Sequence, residues 1–204
     1  VIAALKAQGL SGGTFPGNLL VEPGKLLTKD GGPLRVFTPF WKRVLSLGEP
    51  RKPQPAPKQL PPPVDVASDR LDDWQLEPSK PDWAGGIRET WTPGEAAARE
   101  RLADFLDGIR GYADERDRPD KPATSRLSPH LHFGEISPRQ IWAALSFKEG
   151  AAHKFAAELG WREFAHHLLY HFPHTTDEPL REQFRRFRWR DDPSAVAYIG
   201  ALNL

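Results

Sequence analysis

Residues 124–133 read TSRLSPHLHF, which packs Thr124, Ser125, Arg126 and Ser128 into five positions ahead of an apolar segment. Hydroxyls and a guanidinium so close together can satisfy phosphate oxygens through side-chain and backbone donors, with the arginine supplying charge. The same letters also suit a loop whose Ser and Thr only cap turns. A second group lies at 158–164, ELGWREF. On a helix, Glu158 and Trp161 share a face, and Glu158 and Arg162 are i, i+4 neighbours. A carboxylate, a flat ring and a guanidinium projecting together would line a pocket for a base: the ring stacks, the acid takes N–H groups, the arginine holds a backbone phosphate. The competing reading is a core tryptophan beside a surface ion pair.

These groups need elements to hold them. The run 151–171 has Phe155, Leu159, Phe164, Leu168 and Leu169 at three- and four-residue spacings, which predicts a long amphipathic helix. Ser137, Pro138 and Gln140 form a helix start ahead of IWAALSF, and Thr92, Pro93 and Glu95 a similar one ahead of a run ending near Tyr112. Upstream, Thr38 is the expected N-cap of a short helix with Pro39 at its first position. Residues 1–8 read as a helix end, and LLVEPGKLL (19–27) alternates loosely as short strands would. Residues 49–66 carry seven prolines, which deny both helix and ladder bonds and predict a linker. The fold class expected is mainly α, an all-helical portion preceded by an α/β remnant and the proline-rich linker.

The 204 residues suffice for one sizeable domain or two small ones. Lys and Arg number 28 against 27 Asp and Glu, so polyanion binding must come from a local patch. Cysteine is absent, which excludes disulfides and thiolate metal sites and makes the cytoplasm the expected location. No apolar run reaches the ~18 residues of a membrane span. Methionine is absent even at the start, so a piece of a longer protein is expected.

The ordered set Tyr112, Arg116, TSRLSPHLHFGEISPRQ and ELGWREF resembles the photolyase/cryptochrome family, most of all the bacterial class I cyclobutane pyrimidine dimer photolyases. VFTPFWKRV is similar to the segment closing that family's antenna domain. The resemblance implies that residues 1–48 end an α/β antenna domain, 49–91 form the interdomain linker and 92–204 begin a helical FAD-binding domain. It implies FAD contacts at Tyr112, Thr124, Ser125, Arg126, Leu127 and Ser128, and at Phe155, where many relatives have tryptophan. Arg116 and Arg162 match DNA-phosphate contacts. Glu158 and Trp161 match the acid and the ring that meet the flipped-out lesion, the catalytic pair.

The activity implied is light-driven repair of cyclobutane pyrimidine dimers by a monomer acting on UV-damaged DNA. Reduced FAD would serve as electron donor, with a second antenna chromophore of unassigned identity. The family's usual continuation beyond Pro193 has no counterpart here, so half a flavin site, weak in flavin, is the expectation. A cryptochrome-type receptor is the first alternative and a metal-binding helical protein the second. The second rests on the pairs His167 with His171 and Glu163 with His166, which lack the partner motif a di-iron bundle needs. His130 and His132 read as buried, hydrogen-bonded histidines. In FRRFRWR (184–190), Phe184, Phe187 and Trp189 are expected to turn inward.

Overall fold

The computed structural model describes residues 2–13, 15–60, 62, 67–148, 150–188 and 192–193. The helices are α1 (Ile2–Ala7), α2 (Phe37–Ser46), α3 (Gly85–Thr90), α4 (Glu95–Asp107), α5 (Tyr112–Glu115), α6 (Ser128–His132), α7 (Pro138–Ala144) and α8 (Gly150–His171), interleaved with short 3₁₀ turns. Among the described residues there is no strand, only an isolated antiparallel bridge between Leu27 and Pro33.

The strands expected at 19–27 are therefore replaced by a 3₁₀ turn at Pro23–Lys25. The reason is local. Leu20 and Val21 donate their N–H groups to the Glu163 carboxylate, at 2.8 and 3.3 Å, rather than to a neighbouring strand. Pro23 has no N–H to give. Leu20 and Leu26, freed from any ladder, insert into the core instead.

Two helix starts also shift. The N-cap of α2 is Val36, so Thr38 and Pro39 lie inside the first turn, where a missing N–H is harmless. The N-cap of α4 is Gly94 at φ 108°, a conformation L side chains rarely adopt, and Thr92 lies outside the helix. The start of α7 matches expectation. Ser137 Oγ accepts from Gln140 N at 3.2 Å and Gln140 Oε1 accepts from Ser137 N at 2.8 Å, a complete capping box.

The long helix α8 is a central spine rather than a one-striped surface helix. Phe155, Ala156 and Leu159 enter a core with Ala98 and Leu102 of α4, Tyr112 of α5, Leu127, and Ile141 and Trp142 of α7. On another side, Phe164 packs with Leu26 and with Phe40 and Val44 of α2. Leu169, expected in the stripe, is 47% exposed. Gly160 permits the α2 contact, since a Cβ there would lie 2.5 Å from the Trp41 ring.

Among described residues 51–91 only Ala84 is buried, in keeping with the proline density of that segment. The segment is anchored at its start, where Glu49 accepts the Trp142 indole N–H at 2.8 Å. No helix among the described residues is long and apolar enough to cross a membrane.

Candidate functional site

Tyr112 begins α5 and Phe155 lies on α8, and their rings meet edge to face, centroids 5.4 Å apart. Phe105 of α4 completes the cluster at 5.3 Å from Tyr112 and 4.6 Å from Phe155. Burial holds the Tyr112 hydroxyl above its ordinary pKa, so it stays protonated and available as a donor. The loop leading into α6 runs past this cluster. A cleft of about 270 Å³ lies between them, lined by Tyr112, Thr124, Ser125, Arg126, Leu127, Ser128, Leu131, Phe155, Glu158, Leu159 and Arg162. Two segments more than twenty residues apart in sequence thus wall one cavity.

The loop is held in a special conformation. Arg126 has φ 51°, left-handed backbone uncommon for a residue with a side chain. Its guanidinium lies 4.9 Å from the Trp91 ring centroid, and Arg101 of α4 approaches the same ring at 5.3 Å. Ser125 Oγ accepts from Leu127 N at 3.4 Å. Behind the loop, buried His130 bonds through Nδ1 to Glu135, which holds the Glu135 carboxyl below its ordinary pKa. His132, expected to be buried, is exposed, because α6 ends after one turn and leaves that side in solvent.

At the mouth of the cleft the charges pair differently from expectation. Glu158 forms its ion pair with Arg116, which also lies over the Tyr112 ring at 5.5 Å. The Glu158 contact raises the Arg116 pKa, so this guanidinium stays charged. Arg162 turns instead to Asn18, donating to its carbonyl at 2.7 Å, and lies 3.5 Å from Glu163. Both guanidiniums retain roughly a fifth of their exposure.

Trp161 does not line the cleft. Its indole stacks on Phe37 of α2, centroids 3.7 Å apart and planes 7° from parallel, and it stays 48% exposed. The expectation of one face shared by Glu158 and Trp161 is corrected accordingly: the packing of α2 on α8 draws the ring to the rim, while Glu158 faces inward. Of the aromatics in 184–190, Phe184 and Phe187 are 45% and 60% exposed rather than inward, and Trp189 and Arg190 lie outside the described residues. The short 3₁₀ turn Glu182–Arg186 carries Phe184 and holds no buried residue.

Three participants escaped the sequence reading. Trp91 sits in a stretch read as linker, Phe37 ahead of an assumed N-cap, and Glu163 inside ELGWREF, where the residue itself is weighed only with His166 for metal. Glu163 is 2% exposed, and burial pushes its carboxyl up to about 7 despite the two N–H groups it accepts. Each gains its role from a residue distant in sequence, so no local signal marks it. Among the described residues no three His, Cys, Asp or Glu side chains gather as a metal site.

The donor set fits a dinucleotide in kind, with hydroxyls and Arg126 for a diphosphate beside a wall of Tyr112, Phe155 and three leucines. Ligand pockets run from ~300 Å³ upward, so the cleft takes part of such a group.

Its similarity to known proteins places this helical chain in the photolyase/cryptochrome family. The family profile of DNA photolyase matches residues 1–60, and that of the FAD binding domain of DNA photolyase matches residues 155–201. The chain is 46% identical to a deoxyribodipyrimidine photo-lyase of Agrobacterium fabrum over 92% of its own length and 41% of the relative's. It is 36% identical to the Synechococcus enzyme of that name, over 94% of this chain and 42% of the relative. It is 29% identical to cryptochrome-1 of Arabidopsis thaliana, over 92% of this chain and 30% of the relative. A solved structure of a bacterial class III photolyase from Agrobacterium tumefaciens superposes with a TM-score of 0.86 at 43% identity, covering 96% of this chain and 42% of that one. That neighbour is of class III, whereas the motif wording resembles class I. The chain spans about two fifths of the length of the photo-lyase relatives it matches.

Proposed function

We propose that the protein is a photolyase that uses FAD and light to split cyclobutane pyrimidine dimers in UV-damaged DNA. In this reading residues 1–48 close the antenna domain, 49–91 link it and 92–204 open the flavin domain, in a cytoplasmic monomer that also carries an antenna chromophore. The observation that supports it most is the single cleft walled by the hydroxyl-arginine loop on one side and by Glu158 and Arg162 on the other. The flavin, when bound, supplies the electron that the dimer requires.

The protein's residues bind, orient and exclude water. Thr124, Ser125, Ser128 and Arg126 hold the diphosphate, with Tyr112 and Phe155 shielding the group beside it. Glu158, poised by Arg116, accepts N–H groups of the extruded bases. Arg116 and Arg162 meet DNA phosphates, and the exposed indole of Trp161 stacks on the lesion. Extruding a poorly stacked dimer costs only a few kcal/mol, within reach of such contacts.

A cryptochrome shares this scaffold, but a half-exposed indole free to stack on a base suits repair, and identity is higher to photo-lyases than to cryptochrome-1. The test is dimer splitting by the flavin-loaded protein in light and in darkness. Splitting in light alone is expected, and flavin binding without any splitting would move the reading to a receptor.

A further inference from the structure

We propose that Phe37 is a positioning residue that fixes the lesion-stacking face of Trp161; this rests on the repair reading above. Phe37 comes from α2, outside the helical portion that carries the cleft, and the VFTPFWKRV motif that contains it carries no implication for lesion binding. Its ring covers Trp161 at 3.7 Å and 7°. It is also nearly parallel to Trp41, centroids 6.3 Å apart at 10°. Trp41 is in turn fixed by Gly160 below it and by the edge of Trp142 at 6.1 Å. Phe164 closes the side of the stack, its ring centroid 6.0 Å from both Phe37 and Trp161.

Trp161 is therefore held on one face and along one edge, yet 48% of it remains exposed. With Phe37 covering one face, the opposite face is the one left for a base. A flat base that stacks there extends an existing column of rings. A free surface indole must surrender rotamer freedom when a base stacks on it, and that loss subtracts from affinity. Phe37 removes the loss beforehand. The same contact joins the seating of α2 to lesion binding, since whatever moves α2 on α8 moves the support of the ring.

The test compares Phe37→Ala, Phe37→Leu, Phe37→Tyr and Trp161→Ala in the flavin-loaded protein. Affinity is measured for a single-stranded oligonucleotide with one cyclobutane dimer and for the same oligonucleotide undamaged, together with flavin content and melting temperature. Phe37→Leu is expected to weaken damaged-strand binding about 3- to 10-fold, with undamaged-strand binding and flavin content unchanged. Phe37→Tyr restores the preference, and Trp161→Ala loses at least as much as Phe37→Leu. The leucine variant keeps an apolar side chain under the indole, so the assay stands even where the alanine variant fails to fold. If Trp161→Ala loses the preference while Phe37→Leu keeps it, Phe37 does not position the ring and the repair reading survives. An equal loss on both oligonucleotides also overturns the inference. If Trp161→Ala itself keeps the preference, the stacking role of Trp161 falls first and the inference with it.

Discussion

Replacing Gly160 with alanine sets two effects of opposite sign against each other. On helix propensity alone the change stabilises a mid-helix position by about 1 kcal/mol. The tertiary structure opposes it. The new Cβ would lie 2.5 and 2.6 Å from two carbons of the Trp41 six-membered ring and 3.0 Å from a third. Ordinary carbon contact begins near ~3.5 Å, so α2 and α8 must part by about 1 Å or the indole must tilt. Tilting is resisted, because the same indole packs on Trp142 and lies parallel to Phe37. Overpacking of this kind costs about 1–3 kcal/mol, and parting the helices also loosens Phe40 and Val44 against Phe164. The expected net effect is a loss of about 1–2 kcal/mol, read as a lower urea midpoint at unchanged slope. The decisive comparison is the cycle with Trp41→Leu, in which the smaller side chain removes the clash. There Gly160→Ala should recover its propensity gain, for a coupling of about 2–3 kcal/mol. A Gly160→Ala protein at least as stable as the parent, or equally destabilised in both backgrounds, would refute the reasoning.

Glu163 gives a pH signature. Its folded pKa of about 7 exceeds the ordinary 4.5, so its contribution to stability is complete below that ordinary value and is lost as pH rises through 7. Between pH 6 and 8 the loss is about 1 kcal/mol, and Glu163→Gln, which keeps an acceptor for Leu20, should abolish it. His166 and His167, lowered by burial, slope the opposite way in both proteins, so the difference between the two urea titrations isolates Glu163. Ser137→Ala removes the capping box of α7 and should cost about 1 kcal/mol by urea unfolding. Trp91→Ala frees the Arg126 guanidinium and should weaken flavin binding several-fold in a fluorescence titration without altering undamaged-DNA binding. Arg126→Ala should do the same more strongly.

Local chemistry determined a good part of this protein. The Ser137 capping box, the length of α8 and the proline-rich stretch follow from residues within a few positions of one another, so their signals survive without tertiary context. The hydroxyl-arginine loop and the Glu158 turn were legible for the same reason, each a compact set of functional groups. What only the fold decided involves residues far apart in the chain. Leu20 and Val21 look like a strand until a buried carboxylate more than 140 residues away takes their N–H groups. Glu158 and Arg162 look like partners, but Arg116 and the Asn18 carbonyl lie closer in space and claim them. Trp161 shares a helical face with Glu158 by count, yet the weight of apolar contact on the α2 side turns its ring onto Phe37. Periodicity sets which side of a helix a residue occupies, whereas its partner depends on which surfaces the folded chain brings against that side.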